Sequence, residues 1–120
     1  MNNSQNNFDL EERTFQFAKS VALYTKKLPK TISNTEYSKQ VIRASASVGA
    51  NYREANEALG KKDFNMRIKI SRKESKESAY FLRLIVETNV EEFKQEGLHL
   101  FNETGQLKKI FSSILIKTNQ

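Results

Sequence analysis

The chain has no cysteine, no tryptophan, one proline, one histidine and four glycines in 120 residues. Each shortage removes a class of protein. Without cysteine there is no disulfide framework, no thiolate metal site and no thiol nucleophile, and a reducing compartment fits. Glu96 and His99 form one Glu-x-x-His motif, but a di-iron helical bundle needs two such motifs and two further carboxylates, so a single histidine cannot complete that site within one chain. A Ser–His–Asp triad would have to recruit His99, and nothing nominates its serine. "GKKDF" lacks the spacing of a phosphate-binding Gly-x-x-x-x-Gly-Lys-Ser/Thr loop. "MNNSQNNFDLEER" has neither the basic nor the apolar region of a signal peptide. No apolar run approaches the roughly 18 residues of a membrane span. These absences lead us to expect a soluble, cytoplasmic, non-enzymatic protein with no metal, no cofactor and no membrane partner.

Scarce proline and glycine leave long stretches without a breaker, which favours helix. The apolar residues repeat accordingly. Leu10, Thr14, Phe17, Val21, Tyr24 and Leu28 alternate steps of four and three, a heptad stripe that Phe15, Ala18 and Ala22 widen. Pro29 ends this first helix by pushing its neighbour out of the α region. Ser33 and Glu36 read as a capping box for a second helix carrying Tyr37, Val41, Ala44, Val48, Tyr52, Ala55 and Leu59. Gly60 reads as the residue after its C-cap and Asp63 as the next N-cap. A third helix carries Phe64, Ile68, Ser71, Ser75, Ser78, Leu82 and Ile85 and ends near Asn89. A fourth carries Phe93, Gly97, Leu100, Thr104, Leu107, Phe111 and Ile114, and Gly97 and Gly105 predict a kink or a later start. No strand alternation persists. Short connections make successive helices antiparallel, so the fold class is all-α: an antiparallel up-down-up-down four-helix bundle over residues 8–118, behind a polar, disordered tail at 1–7.

Two features stand out within this frame. Helix 2 has the small-residue run "ASASVGA", and Ala44 and Gly49 there face Ser71, Ser75 and Ser78 on helix 3 as close-packing positions. Small side chains let helix axes approach, so helices 1 and 4 must supply most of the core volume. Helix 2 is small on several sides, which predicts a second packing surface between subunits.

The other feature is charge. The net charge is +6 and the isoelectric point about 9.6. Residues 61 to 83 hold eight basic and three acidic residues. At about 100° per residue, Lys62, Lys69, Arg72, Lys73, Lys76 and Arg83 share a face about 130° from the Phe64–Ile85 stripe, with Tyr80 among them. Like charges three or four residues apart cost a few tenths of a kcal/mol each, which nominates phosphates, acidic protein or plain solvent as the partner of this face. Glu54, Glu57, Glu74 and Glu77 are better read as ion-pair partners than as a catalytic carboxylate pair.

The stretch "ASASVGANYREANEALGKKDFNMRIKISRKESKESAYFLRLI" resembles the 23S rRNA-intervening-sequence, or S23-type, proteins, in register from about Phe8 to Lys117. The resemblance implies a bacterial four-helix bundle that assembles as a homopentamer. Through a relative, the accessory variability determinant of diversity-generating retroelements, it implies association with RNA or DNA and with a nucleic-acid enzyme such as a reverse transcriptase. The matching positions are Asn51 and Glu54 in "NYRE", Asp63 and Phe64 in "KKDF", and Glu77 in "SKES". Many relatives have "NIAEG" at the first site, where this chain has Tyr52, Arg53 and Ala55 in place of Ile, Ala and Gly. Asn51, Glu54 and Glu77 read as a polar layer between helices 2 and 3 that fixes register.

Overall fold

A computed structural model describes residues 3–120, with side chains from residue 9 onward. Four helices follow one another: α1 (Asn3–Lys27), α2 (Ile32–Asn56), α3 (Lys61–Thr88) and α4 (Lys94–Thr118), with a single 3-10 turn at Glu91–Phe93 before the last. At 1.5 Å per residue, helices of this length are about 40 Å long, and the molecule measures 45 × 24 × 19 Å. Cross-helix bonds show the antiparallel order. Arg13 of α1 meets Glu103 of α4 while Lys27 meets Glu96. Ser71 of α3 meets Val48 of α2 while Arg67 meets Asn51. The architecture is the expected four-helix bundle.

The stripes form the core. On α1, Leu10, Thr14, Phe17, Val21 and Tyr24 are buried, as is Leu28 just past its end. On α3, Ile68, Ser71, Ser75, Ser78, Leu82 and Ile85 are buried, with Phe64 packed at the edge. The three serines need no partner from outside the bundle. Ser75 and Ser78 donate to the carbonyls of Ser71 and Glu74, each 2.9 Å away and four residues back. Ser71 crosses the seam and donates to Val48 O at 2.9 Å. A hydroxyl at these positions is therefore satisfied, and its small volume lets α2 come close. Ala44 is buried opposite. Gly49 is buried against α1, where an added Cβ would lie 2.9 Å from Thr14 Oγ1.

Several local expectations are corrected. Helix α1 already runs from Asn3, so residues 3–7 extend it instead of forming a tail. They contain no breaker, and lengthening a packed helix is easier than nucleating one. Met1 and Asn2, the rest of that expected tail, lie outside the described residues. Phe15 is 53 % exposed because it lies beyond the edge of its stripe, and Leu59 is fully exposed because α2 ends at Asn56 and leaves Leu59 in the connection to α3. Thr31, not Ser33, caps α2, accepting from Asn34 N at 3.1 Å. Gly60 is the N-cap of α3 in extended backbone, and Asp63 sits in its first turn. Helix α4 is continuous through both glycines, held by Leu100, Leu107 and Phe111 in the core.

The expected polar layer does not form. Asn51 is half-buried and accepts from Arg67 Nη1 at 3.0 Å, but Glu54 and Glu77 are exposed. In the register set by Ser71–Val48 and Arg67–Asn51, Glu77 lies opposite residues near 41, about 15 Å along the axis from Asn51. The polar tie lies at the other end of the seam. Asn34 and Asn89 exchange amide hydrogen bonds, each 2.8 Å, while Asn34 also donates to Pro29 O and Asn89 to Ile85 O. Asn34 is only 4 % exposed. Every amide group in this pair has a partner, so it joins the α1–α2 loop to the end of α3 without an orphaned dipole.

Candidate nucleic-acid interface on α3 and α4

The heptad geometry that buries the serines turns the lysines outward. Lys62, Lys69, Lys73 and Lys76 are exposed along α3. Lys62, Lys69, Lys76 and Arg83 recur every seven residues, about 10.5 Å apart along the axis. No ion pair within 4.0 Å involves Lys62, Lys69, Arg72, Lys73 or Lys76 among the described residues. Lys73 and Glu77, four residues apart on α3, form no pair among the described residues. Among the described residues Glu54, Glu57 and Glu77 form no ion pair, because ordering two long exposed side chains costs about as much as the screened attraction returns. Glu74 is different, half-buried with its Oε1 buried and without a hydrogen-bond partner.

Two predicted members of the face differ from the rest. Arg72 is half-buried and leans onto α4, its Nη1 3.4 Å from Ser112 Oγ. It lies about 80° around the helix from Phe64, nearer the α4 contact than the open side. Arg83 is exposed but is bound to Glu87, with Nε–Oε2 at 2.8 Å. That hydrogen bond, then the carboxylate's charge, raises the guanidinium pKa further. The anticipated cation is thus already neutralised by its own helix. Tyr80 is 61 % exposed, its ring edge-on to Phe81 with centroids 5.3 Å apart.

Pairing of α3 with α4 adds cations that a reading of α3 alone misses. Arg72–Ser112 and Asn65–Asn119 set the register. It brings Lys108 opposite Lys76. Lys76, Lys108 and Lys109 line an open groove between the two helices, floored by Ser75, Ala79 and Gly105. A second, more apolar groove runs along the outer side of α3, where Met66 and Ile70 lie between Lys61, Lys62, Lys69 and Lys73. The signal for Lys108 and Lys109 was present in "GQLKKIF": on a helix whose core positions are 104, 107 and 111, residues 105, 108, 109 and 112 flank the core on one side.

The remaining chemistry is sparse. His99 is exposed, and its neighbour Glu96 is held by Lys27 at 2.9 Å. No group of three or more metal-capable side chains occurs among the described residues. No described helix is long and apolar enough to cross a membrane. Burial, and then the charge of Glu96, pushes the Tyr24 phenol up to about 12. Its hydroxyl donates to Phe93 O at 2.7 Å, so its role is to anchor the start of α4. The charged grooves can hold anions.

Comparison with known proteins agrees with the architecture. The crystal structure of a protein of unknown function from the S23 ribosomal protein family of Bacteroides thetaiotaomicron superposes with a TM-score of 0.72 at 29 % identity, covering 88 % of this chain and 96 % of that one. No curated protein matches. The family model described as 23S rRNA-intervening sequence protein matches residues 6–113. With nearly the whole bundle matched, the chain belongs to the 23S rRNA-intervening sequence protein family.

Proposed function

We propose that this protein is a non-enzymatic, cytoplasmic nucleic-acid accessory protein that binds phosphates on the outer surface of α3 and α4. The observation that carries this is the set of unpaired cations. Lys62, Lys69, Lys73 and Lys76 are exposed without an acidic partner, and Lys108 and Lys109 extend the set across the groove. Release of condensed counterions from a polyanion rewards such an arrangement, and isolated acidic side chains in this chain do not satisfy it. Assembly of identical subunits would repeat the surface and multiply a weak affinity. Exposed Ala46 and Ala50 on α2, with half-exposed Phe15 and Leu23 on α1, offer faces for that self-association. We take the assembly to be the homopentamer that the family resemblance implies, and a nucleic-acid enzyme such as a reverse transcriptase as a fitting third component.

The test is binding of RNA and DNA oligonucleotides across a salt series. Affinity should fall steeply, with a log–log slope of about −0.7 to −0.9 for each phosphate neutralised. Salt-independent affinity, or none at low salt, would sink the reading.

One observation favours a second reading. Met66, 49 % exposed, sits with Ile70 inside a rim of four lysines, and phosphates have no use for apolar surface. An acidic protein with an apolar face would match it. Lys73→Glu with Lys76→Glu separates the two: lost nucleic-acid binding with intact assembly supports the first, and dissociation of the assembly makes the stripe a protein contact.

A further inference from the structure

The three glycines inside helices differ in what surrounds them. At Gly49 an added Cβ would fall 2.9 Å from Thr14 Oγ1, and at Gly97 it would collide with the Tyr24 hydroxyl and Val86. Both are explained by another part of this chain coming close. At Gly105 an added Cβ would meet nothing within 4 Å. Yet Gly105 is in the middle of α4, where glycine is unfavourable relative to alanine, and it has no positive φ to justify it. Nothing among the described residues accounts for it.

Its position does. Gly105 is half-buried on the floor of the α3–α4 groove, with Ala79 across from it and Lys76, Lys108 and Lys109 around it. Glycine is the residue that lets a ligand reach helix backbone. We propose that this groove seats a single strand of nucleic acid, which crosses Gly105 with its phosphates held by Lys76, Lys108 and Lys109. The proposal rests on the nucleic-acid reading above and specifies its ligand and its point of closest approach. The width of the groove selects one strand. Packed helix axes lie about 8–10 Å apart, which leaves room for one extended backbone but not for the wider, stiff body of a duplex. A duplex therefore bridges the flanking lysines without reaching the floor. Tyr80 stands beside the groove on the outer face of α3, placed to stack on a base that leaves it.

The test is fluorescence anisotropy at low salt on the full chain, with a labelled oligouridylate and a labelled RNA duplex of equal length. Gly105→Leu should weaken single-strand binding roughly tenfold, the scale of a side chain forced into an occupied contact. Gly105→Ala should weaken it less while melting no lower than the parent, so the pair remains informative even where the leucine variant folds poorly. Lys76→Ala with Lys108→Ala should lower affinity and flatten the salt dependence. If both Gly105 variants bind the single strand as the parent does while the lysine pair still matters, the groove-floor contact is wrong and phosphate binding stands. Binding of duplex but not single strand by the parent also overturns it. A changed oligomeric state in Gly105→Ala would assign the glycine to a subunit contact and overturn it. No binding of either probe by the parent removes the nucleic-acid reading itself.

Discussion

The α2–α3 seam and the α1–α4 seam close the same bundle by opposite means. Along the first, the backbones of α2 and α3 stay close for most of their length; along the second, α1 and α4 approach at few points. Small residues make the close seam: Ala44, Ser71 and Ser78, with the Ser71 hydroxyl bonded directly to the facing backbone. Large ones fill the wide side. Phe17, Tyr24, Leu100 and Phe111 occupy the core there, and the Phe111 ring reaches Tyr52 on α2 at 6.0 Å. Ion pairs Arg13–Glu103 and Lys27–Glu96 span the outside. A helix pair can thus be stabilised by bringing backbones together or by filling the space between them, and the two respond to opposite substitutions.

The comparison predicts where shortening and lengthening a side chain should hurt. Phe111→Ala on the wide side should cost about 3–5 kcal/mol, the range for a buried aromatic deletion. Urea titration would measure it, and a loss below about 1 kcal/mol would mean that neighbouring residues refill the space. Ser71→Leu on the close seam, at a fully buried position bonded to Val48 O, should cost about 1–3 kcal/mol by overpacking, although it adds apolar area. A stabilised variant would refute the view that the seam depends on small volume.

Alkali should act through the wide side. Tyr24 is protonated in the fold with its pKa pushed up to about 12. An unfolded tyrosine loses its proton near pH 10. Its contribution is therefore complete below pH 10 and is lost as pH rises from 10 toward 12, at about 1.4 kcal/mol per unit. Tyr24→Phe should remove that part of the slope in a stability–pH profile, and an unchanged slope would show that other groups carry it. The smallest effect is expected at Arg13. Its two bonds to Glu103, at 2.7 and 2.9 Å, raise the guanidinium pKa. The pair is partly exposed, so Arg13→Ala should cost no more than about 1 kcal/mol, and less in high salt.

Much of this was written locally. Alternating steps of three and four placed Tyr24, Val48, Leu82 and Phe111 in the core before any partner was known. They did so because helical period is a property of each segment alone. Ser71, Ser75 and Ser78 were legible for the same reason: small polar residues at core positions imply close packing. The caps were less legible, since Thr31 and Ser33 are equally able to accept the first amides, and the direction of entry from Pro29 selects one. The candidate site was legible in half. The lysines on α3 were evident from charge alone. That Arg83 is held by Glu87, that Arg72 leans on Ser112, and that Lys108 and Lys109 complete a groove all depend on how helices are rotated and paired.

The amino-acid sequence by itself determined four amphipathic helices, their order, the faces they bury and the basic side of α3, because periodicity and charge act within a helix. The tertiary structure alone decided the polar tie between Asn34 and Asn89, the solvent exposure of Glu54 and Glu77, and the groove around Gly105. Each of those depends on the relative register of two helices. A shift of one turn, about 5.4 Å, would change every partner in them while leaving the local pattern as it is.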